Sequence, residues 1–199
     1  MKKEVLLFLL NQYADWEAAY LSTAIRSVSK DTLEIKTASL IDTPVTSAGG
    51  LRIMPDYNVN CIPKDYAALI LVGGYSWRTE NLEKLEPVVR DCVIRDIVLG
   101  AICDATVYLG ALGILNQIEH TSNDLSDLKS YAKGAYTGAE RYIARNVVSD
   151  HNIVTANGTA PIDFAREILR ILHAAVDEKI EEWFLFHRLG CYAVWEAQY

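Results

Sequence analysis

The chain has 199 residues, 51% hydrophobic and 23% charged, which are ordinary proportions for a globular protein and enough chain for one sizeable core. A net charge of −7 with no Lys/Arg cluster leaves nucleic-acid binding without electrostatic support. No run reaches about 18 consecutive apolar residues, so no membrane partner is expected. The apolar start, Val5 to Leu10, meets polar Asn11-Gln12 and lacks a small-residue cleavage site, so it reads as a buried strand rather than a signal peptide. Four scattered cysteines (Cys61, Cys92, Cys103, Cys191) without Cys-x-x-Cys spacing argue against a disulfide framework or a zinc site and fit a reducing cytoplasm; no cofactor is expected.

The elements follow in chain order. Val5 to Leu10 is the first strand. Asp15 is placed to cap a helix over about residues 16–29. Leu33 to Ala38 alternates as a strand, and Pro44 to Met54, with Gly49-Gly50 inside, reads as a β-hairpin. Ala67 to Val72 is a continuous apolar run, hence a buried parallel strand ended by Gly73-Gly74. A helix over 82–96 precedes the strand Ile97 to Ile102, which leads into a turn at Cys103 and a helix ending near Gly113. A short strand around His120 to Ser122 is allowed. Strands near Val147-Val148 and Ile153 to Thr155 pair through Asp150-His151-Asn152. Helices over Pro161 to His173 and Asp177 to Leu189 close the chain. Strands alternating with helices predict one α/β domain over 1–199, with a largely parallel sheet and helices on both faces. Residues 177–199 form a C-terminal helical, aromatic extension (Trp183, Phe184, Phe186, Tyr192, Trp195, Tyr199) that covers apolar surface within the chain or between two copies.

In such folds, sites form at the carboxyl ends of strands near the switch point of the topology. Three segments end strands there: 11–17, 72–75 and Cys103-Asp104. Cys103 follows an apolar run and a glycine, and it opens a helix. The positive field of a helix N-terminus favours a thiolate, so Cys103 is the candidate nucleophile; the alternative is a small buried residue filling a tight turn. The backbone N–H groups of Gly74 and Asp104 are candidates for an oxyanion hole. Glu17, in the first turn of the first helix, is a candidate acid/base beside the cysteine or an ordinary residue complementing the helix dipole. Asp104 opposes a thiolate by like charge. His120 is the best-placed histidine because it follows the helix that Cys103 begins.

The order of these parts resembles the ThiJ/PfpI family of the class I glutamine amidotransferase-like superfamily. The resemblance rests on Tyr13-Ala14-Asp15-Trp16-Glu17, Leu69-Ile70-Leu71-Val72-Gly73-Gly74, Ala101-Ile102-Cys103-Asp104-Ala105, His120-Thr121-Ser122-Asn123 and Asn152 to Thr159. It implies a flavodoxin-like three-layer α/β/α sandwich, usually a homodimer, with a nucleophile-elbow cysteine at Cys103 and its acidic partner at Glu17. Protease-like members place a histidine directly after the cysteine, where this chain has Asp104. Another branch offers a histidine in the strand after the elbow helix, where either His120 or Asn123 falls. True glutaminase domains carry a late His-x-Glu pair that is missing here, so glutamine amidotransfer is the least supported chemistry. The expected function is a cysteine-dependent hydrolase of amides or peptides, or an enzyme of reactive carbonyls. The alternatives are a non-enzymatic stress or redox protein that works through oxidation of Cys103, and a binding module without covalent chemistry.

Overall fold

The computed structural model describes residues 2–196. Seven strands form the main sheet: β1 (Lys3–Phe8), β2 (Leu33–Ser39), β5 (Tyr57–Asn58), β6 (Ala68–Leu71), β7 (Val98–Ile102), β8 (Val147–Asp150) and β9 (Ile153–Ala156), in the order β5-β2-β1-β6-β7-β9-β8. All neighbours are parallel except β8 and β9, which pair antiparallel as a hairpin. Two further strands, β3 (Val45–Thr46) and β4 (Arg52–Ile53), make the expected hairpin. The helices are α1 (Asp15–Val28), α2 (Glu86–Ile94), α3 (Asp104–Ala111), α4 (Leu125–Ala132), α5 (Pro161–Ile171), α6 (Asp177–Leu189) and α7 (Cys191–Glu196).

The period-2 geometry of a strand sends alternate side chains to opposite faces, and here both faces are apolar. Leu6, Phe8, Leu69, Leu71, Leu99 and Ala101 face a core shared with α2, α3 and α4. Val5, Leu7, Ile70, Val72 and Val98 face a core shared with α1, α5 and α6. The result is the parallel sheet with helices on both faces that the strand-helix alternation predicts, consistent with the flavodoxin-like sandwich that the family resemblance implies. The chain runs outward from β1 to β2, then crosses back to β6 and β7. The connections after β1 and β6 therefore leave toward opposite faces, and the carboxyl ends of these neighbouring strands mark the switch point of the topology.

Several local expectations are corrected. Asp15 does not cap α1. Ala14 is the cap residue, without a side-chain bond, and the Asp15 carboxylate instead accepts from the Gly49 N–H at 2.8 Å, which pins the β3–β4 hairpin over the start of α1. The region around His120 to Ser122 forms a single bridge, His120 to Tyr142, rather than a strand. The helices predicted over 82–96 and 161–173 are shorter at their ends. The described part of the C-terminal segment folds back on its own chain. Ile180 and Trp183 are buried against the α1/α5 layer, and Arg166 joins Glu181 at 2.7 Å and lies over the Phe184 ring. Tyr199 and the side chain of Trp195 lie outside the described residues. Among the described residues no helix is long and apolar enough to cross a membrane.

Candidate active site

Cys103 is the residue between β7 and α3. Its backbone has φ 59° and ψ −133°, a conformation that costs a non-glycine residue on the order of 1–3 kcal/mol. The surroundings hold it there. Its N–H donates to Ala156 O at 3.0 Å, and its carbonyl accepts from the Thr106 N–H at 3.0 Å and the Thr106 hydroxyl at 2.6 Å. The turn lifts the side chain off the strand end, at the start of the α3 dipole.

Glu17 arrives from α1 and is 1% exposed. Neither of its carboxyl oxygens meets a hydrogen-bond partner in good geometry. Two glycines permit its approach to the cysteine. A methyl group on Gly158 would stand 2.8 Å from Cys103 Sγ and 3.0 Å from Glu17 Oε1, and one on Gly73 would overlap the Glu17 carboxyl and lie 2.5 Å from Cys103 Cβ. No larger residue fits at either position without parting the pair.

The electrostatics follow from this packing. Burial pushes the Glu17 carboxyl up to about 7 and the Asp104 charge adds to the push, while the Cys103 thiol and the Gly73 N–H favour the charged form. Burial, and then the Glu17 charge, raises the Cys103 thiol; the Asn123 amide and the Asp104 N–H oppose that rise. Two negative charges in such contact are strongly disfavoured, so the pair holds one charge and one proton between them.

The group that touches the sulfur from the far side is Asn123. Its Nδ2 donates to Cys103 Sγ at 3.3 Å, and its Oδ1 accepts from the Gly158 N–H at 2.8 Å. Gly158 is fixed in turn by its carbonyl, which accepts from Trp16 Nε1 at 3.1 Å. His120 is not brought to the sulfur. It is fully buried, with Nδ1 2.8 Å from Ile118 O and Nε2 2.6 Å from the Tyr136 hydroxyl. A carbonyl only accepts, so Nδ1 carries the proton and Nε2 accepts from the phenol.

Gly74 has φ +145° and bridges to Tyr13, which ties the loop after β6 to the loop after β1. Asp104 is bound by the guanidinium of Arg78, with Nε to Oδ2 at 2.7 Å and Nη2 to Oδ1 at 2.9 Å. The repulsion expected between Asp104 and a thiolate is thus partly cancelled. Among the described residues no cluster of three or more His, Cys, Asp or Glu could hold a metal ion.

The family model described as DJ-1/PfpI family matches residues 3–171. The chain belongs to the DJ-1/PfpI family. A Bacillus subtilis protein carrying the name uncharacterized protease YdeA is 36% identical over 190 residues, covering 96% of this chain and 93% of the relative. The solved structure of the DJ-1 superfamily protein Atu0886 from Agrobacterium tumefaciens is 38% identical, with a TM-score of 0.84, and the match covers 92% of this chain and 97% of that one. The thiJ/pfpI family protein from Bacillus anthracis superimposes with a TM-score of 0.88 at 31% identity, over 94% of this chain and 91% of that one.

The sequence groups Cys103, Glu17, Gly74 and Asp104 at this edge, carries Trp16 and Gly158 only as parts of motifs, and gives no sign of Arg78. Sequence offers Asn123 only as an alternative to His120. The remaining signal was Asn157-Gly158 at the end of β9, a strand end on the same sheet edge as Cys103.

Proposed function

We propose that this DJ-1/PfpI chain is a cysteine-dependent enzyme in which the Cys103 thiolate attacks an electrophilic carbonyl carbon of a small molecule or peptide. The carrying observation is a cysteine held in a strained elbow against a 1% exposed carboxyl whose oxygens lack a well-formed hydrogen bond. The reactive form has the proton on Glu17 and the charge on sulfur, where the Asn123 amide, the Asp104 N–H and the α3 N-terminus stabilise it. Sulfur donates its pair to the carbonyl carbon, the π pair moves to oxygen, and that oxygen takes the Glu17 proton. The Gly74 and Asp104 N–H groups are the assigned donors to the developing oxyanion.

Reactive aldehydes or ketones fit this machinery better than amides. Thiol addition to an aldehyde moves one proton and expels nothing, so one proton carrier suffices for that step; with methylglyoxal the same carboxyl can then shift the adduct's C–H proton to the neighbouring carbon, and water cleaves the resulting thioester to lactate and the free thiol. Amide cleavage must in addition protonate a departing amine. The residue after the cysteine, Asp104, is committed to Arg78, and the residue on the far side of the sulfur is a non-titrating amide. The test is consumption of methylglyoxal beside cleavage of a fluorogenic peptide amide, with adducts mapped by mass spectrometry. Methylglyoxal turnover that vanishes in Cys103→Ser supports the reading, and amide turnover alone moves it to the hydrolase that the name of the Bacillus subtilis relative suggests. The absence of both turnover and a Cys103 adduct overturns it.

The unpartnered carboxyl also favours a second reading. Two equivalents of hydrogen peroxide would convert the thiolate to a sulfinate with release of two waters, and protonated Glu17 would donate to the new oxygens. Mild peroxide followed by peptide mapping decides it; preferential oxidation of exposed Cys61 would sink it.

A further inference from the structure

Arg78, in the loop after β6, holds carboxylates from two helices at once. Besides its two bonds to Asp104, its Nη1 and Nη2 donate to Asp127 Oδ1 and Oδ2 at 2.9 and 2.7 Å. The guanidinium carbon also lies 5.4 Å from the centroid of the Tyr131 ring. Such double-fork geometry fixes a guanidinium far more tightly than a single surface ion pair does.

What the fork joins gives it meaning. Asp104 follows the elbow cysteine and begins α3. Asp127 is in the first turn of α4, where its N–H donates to the Asp124 side chain that caps the helix. Asp124 directly follows Asn123, the residue whose amide touches the sulfur. One arginine therefore links the start of the elbow helix to the segment that carries the thiol's amide partner.

The charges around Cys103 come from every side. Glu17 faces it from α1 and Asp104 from α3. Asp127 stands behind Asp104 on α4, and Arg78 is the cation between them. Without Arg78, the Asp104 charge next to the cysteine would stand uncompensated. The guanidinium is held protonated well beyond its ordinary range by the two aspartates, and it pulls the Asp127 carboxyl down. Its charge is therefore constant at any working pH.

We propose that Arg78 is a positioning residue for Cys103, which cancels the Asp104 charge beside the thiolate and staples the elbow helix to the Asn123 segment. Its consequence for catalysis rests on the reading of Cys103 as the nucleophile, but the effect on the thiol is measured without turnover. The experiment is the rate of Cys103 alkylation by iodoacetamide against pH in the full chain, followed by peptide mapping. Arg78→Met should shift the midpoint up by roughly one unit and slow alkylation at pH 7 by about tenfold. Arg78→Met combined with Asp104→Asn should recover to within about threefold of the parent, because the charge that needed cancelling is gone. Arg78→Lys, which keeps the charge and loses the fork, should fall between. A parental profile in folded Arg78→Met overturns the proposal. So does a double variant as slow as the single one, which would indicate a merely structural arginine. If Arg78→Met does not fold, Asp104→Asn alone should lower the midpoint, and an unmoved midpoint overturns the electrostatic role. A shifted profile in a chain that turns over no carbonyl would leave Arg78's role standing and remove the enzymatic reading.

Discussion

Two buried titratable clusters lie close together in this fold, and they are built on opposite principles. His120 has both ring nitrogens bonded and presents its edges to the rings of Tyr136 and Tyr142, 5.5 and 5.8 Å away. Glu17 is equally removed from water, yet its carboxyl is met only by the Cys103 thiol and the Gly73 N–H, neither in good hydrogen-bond geometry. Burying a polar group with its partners costs little, and burying one without them costs about 1–3 kcal/mol or more. The satisfied cluster reads as a joint between the 118–122 segment and the 136–142 segment. The unsatisfied carboxyl is kept at a cost beside a strained cysteine, which is the pattern of a group held ready for a proton or a ligand.

The hardest test of that contrast is Cys103→Ser, which should reduce carbonyl turnover to background, a loss of roughly a thousandfold or more. Retained turnover would mean that the chemistry lies elsewhere. Glu17→Gln comes next. Removing the proton carrier should slow the addition step by roughly a hundredfold at pH 7. It should also change stability in a way that a simple packing residue would not. The folded-state carboxyl is raised from 4.5 to about 7, so the folded protein binds the extra proton and parent stability falls as pH rises across that window. Glu17→Gln removes this term. It should therefore be more stable than the parent at pH 8, by up to about 3 kcal/mol, and show a flatter profile in chemical denaturation between pH 5 and 8. A less stable Gln variant at pH 8 would mean that the carboxylate is better solvated than its burial indicates.

The parts of this arrangement that sequence made legible are those fixed by strand ends. Apolar runs at Val5, Ala67 and Ile97, each followed by a break in the pattern, place 11–17, 72–75 and 103–104 on one edge of a parallel sheet, so Cys103, Glu17, Gly74 and Asp104 could be grouped before any coordinates. Contacts made by loops that return from far along the chain leave no such pattern. Arg78 meets partners 26 and 49 residues away, and Asn123 reaches back 20 residues to the sulfur. Between His120 and Asn123 the choice turned on which side chain faces the elbow, and three residues decide it in an irregular segment with no period to read. Helix α4 escaped for a related reason: it has eight residues, and its signal, Asp124 accepting from the Asp127 N–H, is local capping rather than apolar periodicity. Asp15 misled because an aspartate before a helix is a good cap by type, while here its carboxylate is spent on the Gly49 N–H.

Asn123 tests the contrast more gently. Asn123→Ala removes one donor to sulfur and leaves the Gly158 N–H without its acceptor, so alkylation of Cys103 at pH 7 should slow by about tenfold, as expected for one lost bond to a charged group. Asn123→His would place a titratable ring where the amide now sits, and the rate profile should gain an inflection near the ordinary histidine range. A profile unchanged by both variants would mean that the amide positions the Gly158 turn and does nothing to the sulfur.

The smallest effect on the chemistry is expected at His120, where the change should fall on stability instead. His120→Phe preserves the aromatic packing but leaves the Tyr136 hydroxyl and the Ile118 carbonyl unpaired, at a cost of about 2 kcal/mol near neutral pH. Burial lowers the His120 pKa, so the unfolded chain binds the proton more readily and parent stability falls as pH drops below the ordinary histidine value of 6.5. This slope is opposite in sign to that of Glu17. The penalty of His120→Phe should accordingly shrink at pH 5, where the parent has itself lost part of the advantage. Alkylation of Cys103 should stay within about twofold of the parent, since no bond connects the ring to the sulfur. A His120→Phe protein that is as stable as the parent and yet slow at Cys103 would break the contrast, because it would put a proton route to the elbow through the cluster that is fully bonded here.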